Sequence, residues 1–429
     1  MEIIKLPNKK DWSSLLKRPV KNSEELEKAV IPLLEDIKKL GDIALRAYTQ
    51  KFDKVSVESF LVTGEEIREA ESLLSKELKM AINTAKRNIE FFHSKQKNEP
   101  EIVETMTGVT CWRKNVAIEK VGLYVPGGTA PLFSTVLMLA IPATIAGCKE
   151  IVLCTPPDTN EKIHPAILYT AHLCGVTKIY KAGGAQAIGA MAYGTETIPA
   201  VYKIFGPGNQ FVTLAKQLVN KAGVAIDMPA GPSEVAIFAN HTSNPAFVAS
   251  DLLSQAEHGS DSQVILVSTN EDIIFKVEEE LGKQLAVLPR MEFAKKALEN
   301  SKFFLMSNEN EAIDLLNEYA AEHLILAVDK PERLAEMVIN AGSVFMGHFT
   351  PEAAGDYASG TNHTLPTNGY AKSYSGVSLD SFYKKITFQS ISPQGLTALG
   401  PVIEIMAENE LLQAHKNAVS IRLNEILKS

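Results

Sequence analysis

Cysteine is scarce in this sequence of 429 residues: it has four, and no two of them form a CxxC pair. This scarcity excludes a disulfide framework, a thiolate zinc knuckle and a thioredoxin-like redox motif, and it favours a reducing, cytoplasmic location. The N-terminal segment lacks the apolar stretch of a secretory signal, so we expect none. Basic residues are outnumbered, 43 Lys and Arg against 51 Asp and Glu, which argues against a nucleic-acid-binding surface.

Charged residues are missing altogether from residues 121–148, a stretch long enough to span a bilayer. Three prolines (Pro126, Pro131 and Pro142) and two adjacent glycines interrupt it, and its first residues are too β-branched to begin a helix comfortably. We therefore expect a buried strand, a glycine turn and a core helix here, with no membrane span.

The remaining composition is average for a soluble globular protein, with 45% hydrophobic and 22% charged residues. From residue 121 onward, short apolar runs alternate with helical segments, a pattern typical of βαβ units and parallel sheets. The expected strands are 121–125, 150–154, 178–182, 202–205, 224–226, 234–239, 263–268, 302–307, 323–328 and 343–347. The first hundred and the last fifty residues have helical patterns. The sequence thus predicts an α/β fold with two parallel-sheet, incomplete Rossmann-like domains and helical N- and C-terminal segments.

Glycine turns follow three of these strands, as YVPGG, AGGAQA and FGPGN. The carboxyl ends of parallel strands form the ligand crevice of an open sheet, and exposed backbone N–H groups there can bind phosphate. None of the turns matches GxGxxG or the Walker A pattern, so a conventional Rossmann cofactor mode is not supported. The turns suit a nucleotide site, but they also suit tight connections between elements.

Two polar segments contain possible metal or substrate ligands. In SQAEHG, Gln255 and His258 are three residues apart on one helical face, so an amide oxygen and an imidazole can meet one metal ion. The alternative is a helix C-terminus at which His258 contacts the last carbonyls. In AGDYASGTNHTLPT, Asp356 and His363 lie in a polar loop that adds little to a core, which favours either a binding role or a plain surface loop.

Two further acid–imidazole pairs have the composition of proton-transfer groups. Glu322 and His323 adjoin each other at the entrance of an apolar strand, where they can act as two separate proton acceptors. Glu410 and His415 are five residues apart in a C-terminal helix. Because that spacing does not share one helical face, this second pair would have to reach a ligand from different directions.

Taken together, these motifs resemble the histidinol dehydrogenase family. VGLYVPGGTAPLFSTVLM, GGAQAI, IFGPGN, DMPAGPSE, DLLSQAEHG, EHLI, GDYASGTNH and AHKNAV all occur in the order that the family has. The resemblance covers nearly the whole chain and is weakest in the first hundred residues. It implies the last two steps of histidine biosynthesis, in which L-histidinol is oxidised through histidinal to L-histidine with two NAD and water.

The resemblance also implies a metal site and a cofactor site. One Zn²⁺ per subunit would be bound by Gln255, His258, Asp356 and His415. A set of oxygen and nitrogen ligands without thiolate suits a site that stays open for substrate. Because zinc has no redox chemistry, the electrons must leave on NAD as a co-substrate. The NAD-binding positions of the family correspond to Tyr124, Gln186 and Asn209, each within or beside a glycine turn.

For the substrate, the resemblance implies contacts from the four metal ligands and from further polar residues, namely Ser233, His323, His363 and Glu410. His323 resembles the base that takes the alcohol proton, and Glu322 resembles the residue that activates water against the aldehyde. The family is a homodimer with exchanged tails, so His415 and Glu410 would complete the partner's site. The implied domains are a tail (1–20), a first α/β domain (21–123 with 235–375), an NAD-side α/β domain (124–234) and a C-terminal helical tail (376–429).

Three other functions remain compatible with the residues alone. A zinc hydrolase could use the same ligands with Glu322 activating a metal-bound water, although it leaves Tyr124, Gln186 and Asn209 without a role. A redox enzyme could trap the aldehyde on a cysteine as a thiohemiacetal, for which Cys154 at a strand end is the candidate. A non-enzymatic binding protein could use the crevice of an α/β fold.

Overall fold

The computed structural model describes residues 1–19, 23–127 and 130–428; Gly128, the second glycine of the YVPGG turn, lies outside them. The α-helices are α1 (Trp12–Leu15), α2 (Ser23–Leu40), α3 (Asp42–Phe52), α4 (Gly64–Leu73), α5 (Lys76–Ser94), α6 (Phe133–Ala146), α7 (Pro165–Leu173), α8 (Gly184–Tyr193), α9 (Gln210–Lys221), α10 (Pro245–Ala256), α11 (Glu271–Leu285), α12 (Met291–Glu299), α13 (Glu309–Tyr319), α14 (Glu332–Glu336), α15 (Glu352–Tyr357), α16 (Pro393–Asn409) and α17 (Gln413–Ile426).

The strands form three sheets. They are β1 (Glu2–Lys5), β2 (Ile102–Met106), β3 (Val109–Ala117), β4 (Lys120–Tyr124), β5 (Glu150–Thr155), β6 (Lys178–Lys181), β7 (Lys203–Phe205), β8 (Ala225–Ile226), β9 (Glu234–Ala239), β10 (Gln263–Ser268), β11 (Lys302–Leu305), β12 (His323–Ala327), β13 (Ser343–Met346) and β14 (Tyr383–Ile391). The chain divides into a first unit, Met1–Gln96 with Ile118–Phe382, and a second unit, Lys97–Ala117 with the chain from Tyr383 onward.

The first unit contains two parallel sheets. The five-stranded sheet has the order β6-β5-β4-β7-β8, and the six-stranded sheet has the order β1-β11-β10-β9-β12-β13. The predicted α/β fold class with parallel sheets is confirmed, and each of the ten predicted strands forms. Strands such as β9 are buried at every position, which is why they appear in the sequence as continuous apolar runs. The predicted domain boundaries stay a prediction.

Most of the charge-free stretch 121–148 belongs to one hydrophobic core of this unit. Its first residues belong to β4, and Phe133–Ala146 form α6, in which the ten residues from Ser134 to Ala143 are all buried. A helix that is apolar on every side must be covered on every side, and α6 packs in the core against α5 and α7. No helix of the described residues is both long and apolar enough to cross a bilayer.

The N-terminal helices follow local signals in the sequence. Thr63 and Glu66 form a capping box at the start of α4, in which the Thr63 hydroxyl accepts from the Glu66 N–H and the Glu66 carboxylate accepts from the Thr63 N–H. The amphipathic stretch that begins here divides into two helices, α4 and α5, because the Ser75 hydroxyl accepts from the N–H of Leu78 and so caps α5.

The second unit has an antiparallel sheet, β14-β3-β2, followed by the helix pair α16 and α17. The sequence predicts the helix pair correctly, but it does not predict this sheet or the edge strand β1. Strand β14 pairs residue by residue with β3, from Tyr383 opposite Ala117 to Ile391 opposite Val109. That pairing joins segments more than 250 residues apart, so no local pattern announces it.

Candidate active site

Two edges of the parallel sheets carry the polar residues singled out in the sequence. His323 is the first residue of β12 and pairs in register with Val235 of β9, so Glu322, Ser233 and Glu234 lie at the same amino-terminal edge of the six-stranded sheet. The three glycine turns follow β4, β6 and β7 at the carboxyl-terminal edge of the five-stranded sheet.

His323 lies at the centre of a buried polar cluster. Its side chain is 3% exposed. Nδ1 lies 3.2 Å from the carbonyl oxygen of Glu234 and 3.3 Å from Nε2 of Gln255, and Nε2 lies 3.3 Å from Oδ1 of Asp356. When Nδ1 donates its proton to the Glu234 carbonyl, Nε2 carries the lone pair. In this neutral tautomer, Nε2 is the nitrogen that can accept a proton.

Glu322 is held beside His323 by the backbone of β9. Its Oε2 accepts a hydrogen bond of 2.9 Å from the N–H of Glu234 and lies 3.7 Å from Nδ1 of His323. Burial raises the pKa of Glu322 to about 8. The side chain of Glu234 points away into a bidentate pair with Arg18, whose Nε and Nη2 donate at 2.5 and 2.8 Å. The guanidinium of Arg18 thus compensates the negative charge of the Glu234 carboxylate, close to Glu322.

Two more carboxylates reach His323 from α15. Glu352 and Asp356 are four residues apart on one helical face, and ligand atoms of His323, Glu352 and Asp356 all lie within 4.8 Å of one another. Burial raises the pKa of Glu352 to about 8. Burial also lowers the pKa of His323, but the carboxylates, Glu322 first, outweigh it and raise that pKa to about 10. Near pH 7 these pKa values leave Glu322 and Glu352 mostly protonated, so Asp356, whose pKa is lowered by His323 despite burial, carries the charge that balances the imidazolium.

Several atoms of this cluster lack a hydrogen-bond partner within the part of the chain that the structure describes. They include Oε1 of Gln255, Nε2 of His323 and Oδ1 of Asp356, all buried. Nε2 of His323 and Oδ1 of Asp356 lie 3.3 Å apart without hydrogen-bond geometry. Buried polar atoms are nearly always satisfied, so three unsatisfied atoms together indicate a missing ligand. An amide oxygen, an imidazole nitrogen and a carboxylate oxygen are suitable ligands for a divalent cation such as zinc. The residues present therefore fit a metal ion.

His258 and His363 border the same cluster. His258 follows α10 and interacts electrostatically with Asp356, His323 and His363. His363 places Nδ1 2.9 Å from the carbonyl oxygen of Asp356 and Nε2 3.2 Å from the hydroxyl of Thr135 on α6. Burial lowers the pKa of His363, so its imidazole stays neutral near pH 7.

Most of the predicted metal and substrate residues thus meet at one place in the first unit. Those brought to this edge are Ser233, Gln255, His258, Glu322, His323, Asp356 and His363. Glu410 and His415 belong to the second unit: Glu410 directly follows α16, His415 lies on α17, and both are exposed. The roles assigned to all nine stay predictions.

A large cavity adjoins the glycine turns. It has a volume of about 940 Å³, and Tyr124, Gln186 and Asn209 all line it. The Tyr124 hydroxyl accepts from the N–H of Gly184 at 3.0 Å, and the Asn209 carboxamide caps α9. Gln186 Nε2 donates to Asp53 at 3.2 Å. The cavity is at the upper end of the size range of small-molecule sites, which suits a ligand as long as a dinucleotide.

Helix α6 connects the cavity with the buried cluster. Pro131, two residues before the helix, lines the cavity, whereas Thr135 in its first turn contacts His363. A second connection is a hydrogen bond of 3.5 Å from Nε2 of Gln210 to Oδ2 of Asp261. Gln210 directly follows Asn209, and Asp261 lies three residues after His258. A ligand in the cavity and a ligand in the cluster therefore share the same supporting elements.

Sequence reasoning did not identify several residues of these two places. The expected loop from Ala354 to Thr367 is wrong at its start, because Glu352–Tyr357 form the helix α15, whose spacing brings Glu352 beside Asp356. Asp53 lies far from any glycine turn in the sequence, and burial raises its pKa to about 6. Arg18 and Glu234 carry no local pattern at all, since their pairing depends on the tertiary fold.

The cysteine that the thiohemiacetal hypothesis requires is inaccessible. Cys154 lies in β5 with 0% exposure, and burial raises the pKa of its thiol well above the ordinary range. A nucleophilic cysteine needs a lowered pKa and access to the substrate. Cys154 has neither property.

The sequence model of the family described as histidinol dehydrogenase matches residues 16–423 of this chain. The chain belongs to the histidinol dehydrogenase family. A histidinol dehydrogenase of Bacteroides thetaiotaomicron is 64% identical over 426 residues, which cover 99% of this chain and 100% of that protein. The histidinol dehydrogenase of Escherichia coli is 50% identical over 427 residues, with 97% and 98% covered.

A solved structure agrees with this assignment. The crystal structure of histidinol dehydrogenase from Elizabethkingia anophelis superposes with a TM-score of 0.97 at 56% identity, covering 100% of this chain and 99% of that one. Membership of the histidinol dehydrogenase family makes the chain an oxidoreductase. The hydrolase and the non-enzymatic binding protein are therefore set aside.

Proposed function

We propose that this chain oxidises L-histidinol to L-histidine through histidinal, with zinc bound and with NAD as the electron acceptor, in the last steps of histidine biosynthesis. The observation that carries the proposal is the set of orphaned acceptors on Gln255, His323 and Asp356, buried together in a chain of this family. The substrate is inferred from the names of the relatives. Four free thiols, three of them buried, fit a reducing cytoplasm as the site of action.

Four residues would hold one zinc ion per subunit: Gln255, His258, Asp356 and His415. The first three lie in or beside the buried cluster. When bound, the ion would fix the amine and the imidazole of histidinol and would take no part in electron transfer. Ser233, His363 and Glu410, together with His323, would supply the remaining polar contacts to the substrate.

His323 would serve the first oxidation. Its Nε2 has no hydrogen-bond partner among the described residues, and its Nδ1 is held by the Glu234 carbonyl. As the substrate carbon loses hydride to NAD, Nε2 would take the hydroxyl proton, and the carbon–oxygen double bond of histidinal would form. A base within hydrogen-bonding reach typically contributes a factor of about 10²–10⁴ to such a step.

Glu322 would serve the second oxidation. Its carboxylate is fixed by the N–H of Glu234, so it has one defined position next to His323. Aldehyde oxidation first requires addition of water to the carbonyl carbon. Glu322 would take a proton from that water, and the resulting hydrate would lose hydride to a second NAD to give the carboxylate of L-histidine.

The cavity of about 940 Å³ would receive NAD. Tyr124, Gln186 and Asn209 line it at the carboxyl edge of the five-stranded sheet, where backbone groups of the turns can approach phosphates. The Tyr124 hydroxyl is held by the N–H of Gly184, and the Asn209 side chain is held by the first turn of α9. Two of the three NAD-binding side chains therefore have fixed positions before the ligand binds.

We further propose a homodimer with exchanged tails. In the second unit, α16, α17 and the turn between them expose large apolar side chains, among them Ile405 at 62%, Leu411 at 89% and Ile421 at 68%. A patch of this kind marks a protein–protein interface more often than a free surface. Exchange of the tails would let His415 and Glu410 complete the site of the partner subunit.

The direct test is to follow NADH absorbance when purified protein receives histidinol and NAD. We expect two NADH per histidinol, L-histidine as the product, and loss of activity after chelation that added zinc restores. Histidinol-independent hydrolysis, or turnover that never reduces NAD, would contradict the proposal.

A further inference from the structure

Asp53 lines the cavity beside one of the proposed NAD residues but has no part in the function proposed so far. It follows α3 and is half-buried, and its Oδ2 accepts from Nε2 of Gln186 at 3.2 Å. The same cavity wall contains Tyr124 and Asn209. A carboxylate is thus held at a defined position where a dinucleotide would lie.

The other charges of the cavity wall are compensated. Glu66 pairs with Lys181 at 2.6 Å, and Glu69 pairs with Lys162 at 3.1 Å. Asp158 accepts backbone N–H groups within its own loop. Lys162 is the only lysine or arginine among the described residues that line the cavity, and its pairing with Glu69 leaves no free cation to bind an additional phosphate.

Asp53 differs from Glu66 and Glu69 because it has no ion-pair partner in the described part of the chain. It also accepts only one hydrogen bond, from the neutral amide of Gln186, whereas Asp158 accepts two backbone N–H groups. A half-buried, uncompensated carboxylate exerts a strong electrostatic effect on groups in the same cavity, because low dielectric screens it less than water would. It can accept a hydrogen bond from a hydroxyl group, and it repels a phosphate.

NAD and NADP differ by one phosphate on a ribose hydroxyl. Acidic residues near that ribose favour the free hydroxyl in other dinucleotide sites, whereas basic residues accommodate the phosphate. We infer that Asp53 is a specificity-determining residue, whose carboxylate makes the cavity accept a dinucleotide with free ribose hydroxyls and reject one with a ribose phosphate. This inference rests on the proposed use of NAD.

The test compares the binding of NAD and NADP to the full-length protein by calorimetry, in the absence of substrate. Asp53→Asn is the informative variant, because its amide oxygen can still accept from Gln186 and its volume is unchanged. We expect wild type to bind NAD more tightly than NADP. The NAD preference should fall about tenfold in Asp53→Asn, since one unit charge near the phosphate is removed, and NADP binding should tighten.

Two further variants make the result specific. Asp53→Glu keeps the charge and should keep the preference for NAD. Asp314→Asn removes the same net charge at an exposed site of α13, outside the cavity wall, and should leave the ratio of the two dissociation constants within about twofold of wild type. Circular dichroism and thermal melting of each variant establish that the fold is retained.

The outcomes separate the inference from the proposed function. If NAD binds and histidinol is oxidised, but Asp53→Asn keeps the wild-type preference, Asp53 does not determine specificity and the proposed function stands. Equal affinity of wild type for NAD and NADP would also overturn the inference. If wild type binds neither dinucleotide and reduces neither with histidinol, both the inference and the use of NAD are wrong.

Discussion

Lys216 and Asp227 form an ion pair, 3% and 1% exposed, that holds Gly206 from both sides. Lys216 Nζ donates to the carbonyl oxygen of Gly206 at 2.9 Å, and Asp227 Oδ2 accepts from its N–H at 2.8 Å. Gly206 has φ +129°, and a Cβ there would lie 2.1 Å from the carbonyl oxygen of Tyr124. The ion pair therefore fixes the turn that leads to Asn209 against the end of β4.

Removing one member of this pair should destabilise the protein. Lys216→Met leaves the Asp227 charge buried without its partner, and we expect the free energy of unfolding to fall by about 3–5 kcal/mol. The double variant Lys216→Met with Asp227→Asn should lose less, because no uncompensated charge remains. Urea unfolding measures both. NAD affinity should drop in the single variant as Asn209 loses its position; a single variant as stable as the double would contradict this account.

The proposed metal site predicts which imidazole matters for zinc. His258→Asn should retain markedly less zinc after dialysis and should lose nearly all turnover, because one ligand is weakened. His241→Asn, at an exposed position outside the cluster, is the matched control and should keep both. Elemental analysis and NADH formation measure the two properties. Stoichiometric zinc with full turnover in His258→Asn would show that the ligand assignment is wrong.

The burial of the Cys154 thiol predicts that neither oxidation step requires this cysteine. Cys154→Ala should oxidise both histidinol and histidinal at close to the wild-type rate, because Cys154 only packs within β5. Loss of the sulfur should reduce the free energy of unfolding by about 1 kcal/mol through a small cavity. Separate assays with each substrate decide the matter. Selective loss of the aldehyde step in a folded variant would instead restore the thiohemiacetal hypothesis.

The raised pKa of Asp53 predicts that the difference in stability between wild type and Asp53→Asn depends on pH. Burial raises its pKa from 3.8 to about 6, so between these values the folded state binds a proton that the unfolded state has released. The contribution of Asp53 to stability therefore falls as pH rises through that window. Asp53→Asn should equal wild type near pH 4 and exceed it above pH 6, by on the order of 1 kcal/mol after allowance for solvent screening. Urea unfolding across this range tests it; parallel pH profiles would contradict it.

The sequence predicts those features that depend on neighbouring residues. Buried strands such as β9 and β12 appear as apolar runs, and the Thr63 cap appears as a motif of four residues. Polar residues in segments rich in small residues, such as Asp356, stand out because such segments add little to a core. These local signals sufficed for the parallel sheets and for most of the candidate site.

Features that depend on distant pairing are absent from the predictions. Strand β1 finds its partner β11 about 300 residues further on, and β14 pairs with β3 across the chain. Arg18 reaches Glu234 only through the tertiary fold. Likewise, nothing in the sequence near Asp53 shows that it meets Gln186. Resemblance supplies the roles of the site residues, whereas the orphaned acceptors of the cluster become visible only in three dimensions.

The two proposed bases predict a difference between two variants. Glu322→Gln keeps size and can still accept from the N–H of Glu234, but it cannot take a proton from water. It should therefore impair histidinal oxidation more than histidinol oxidation. His323→Asn removes the acceptor at Nε2 and should impair histidinol oxidation at least as badly. Losses of about 10²–10⁴ in rate are expected for a general base, which single-turnover measurements resolve.

The measurement supplies histidinol and histidinal separately to each variant and compares the rates of hydride transfer, after zinc content has been matched. Arg18→Lys is a useful companion, because it disturbs the pair with Glu234 while leaving both bases in place, and it should slow the two steps to a similar extent. Glu322 and His323 share the Glu234 backbone as their anchor, so a structural defect would affect both substrates alike. Equal losses on both substrates in Glu322→Gln would thus show that the two residues do not serve separate steps. The proposal that the chain oxidises histidinol to histidine would still stand.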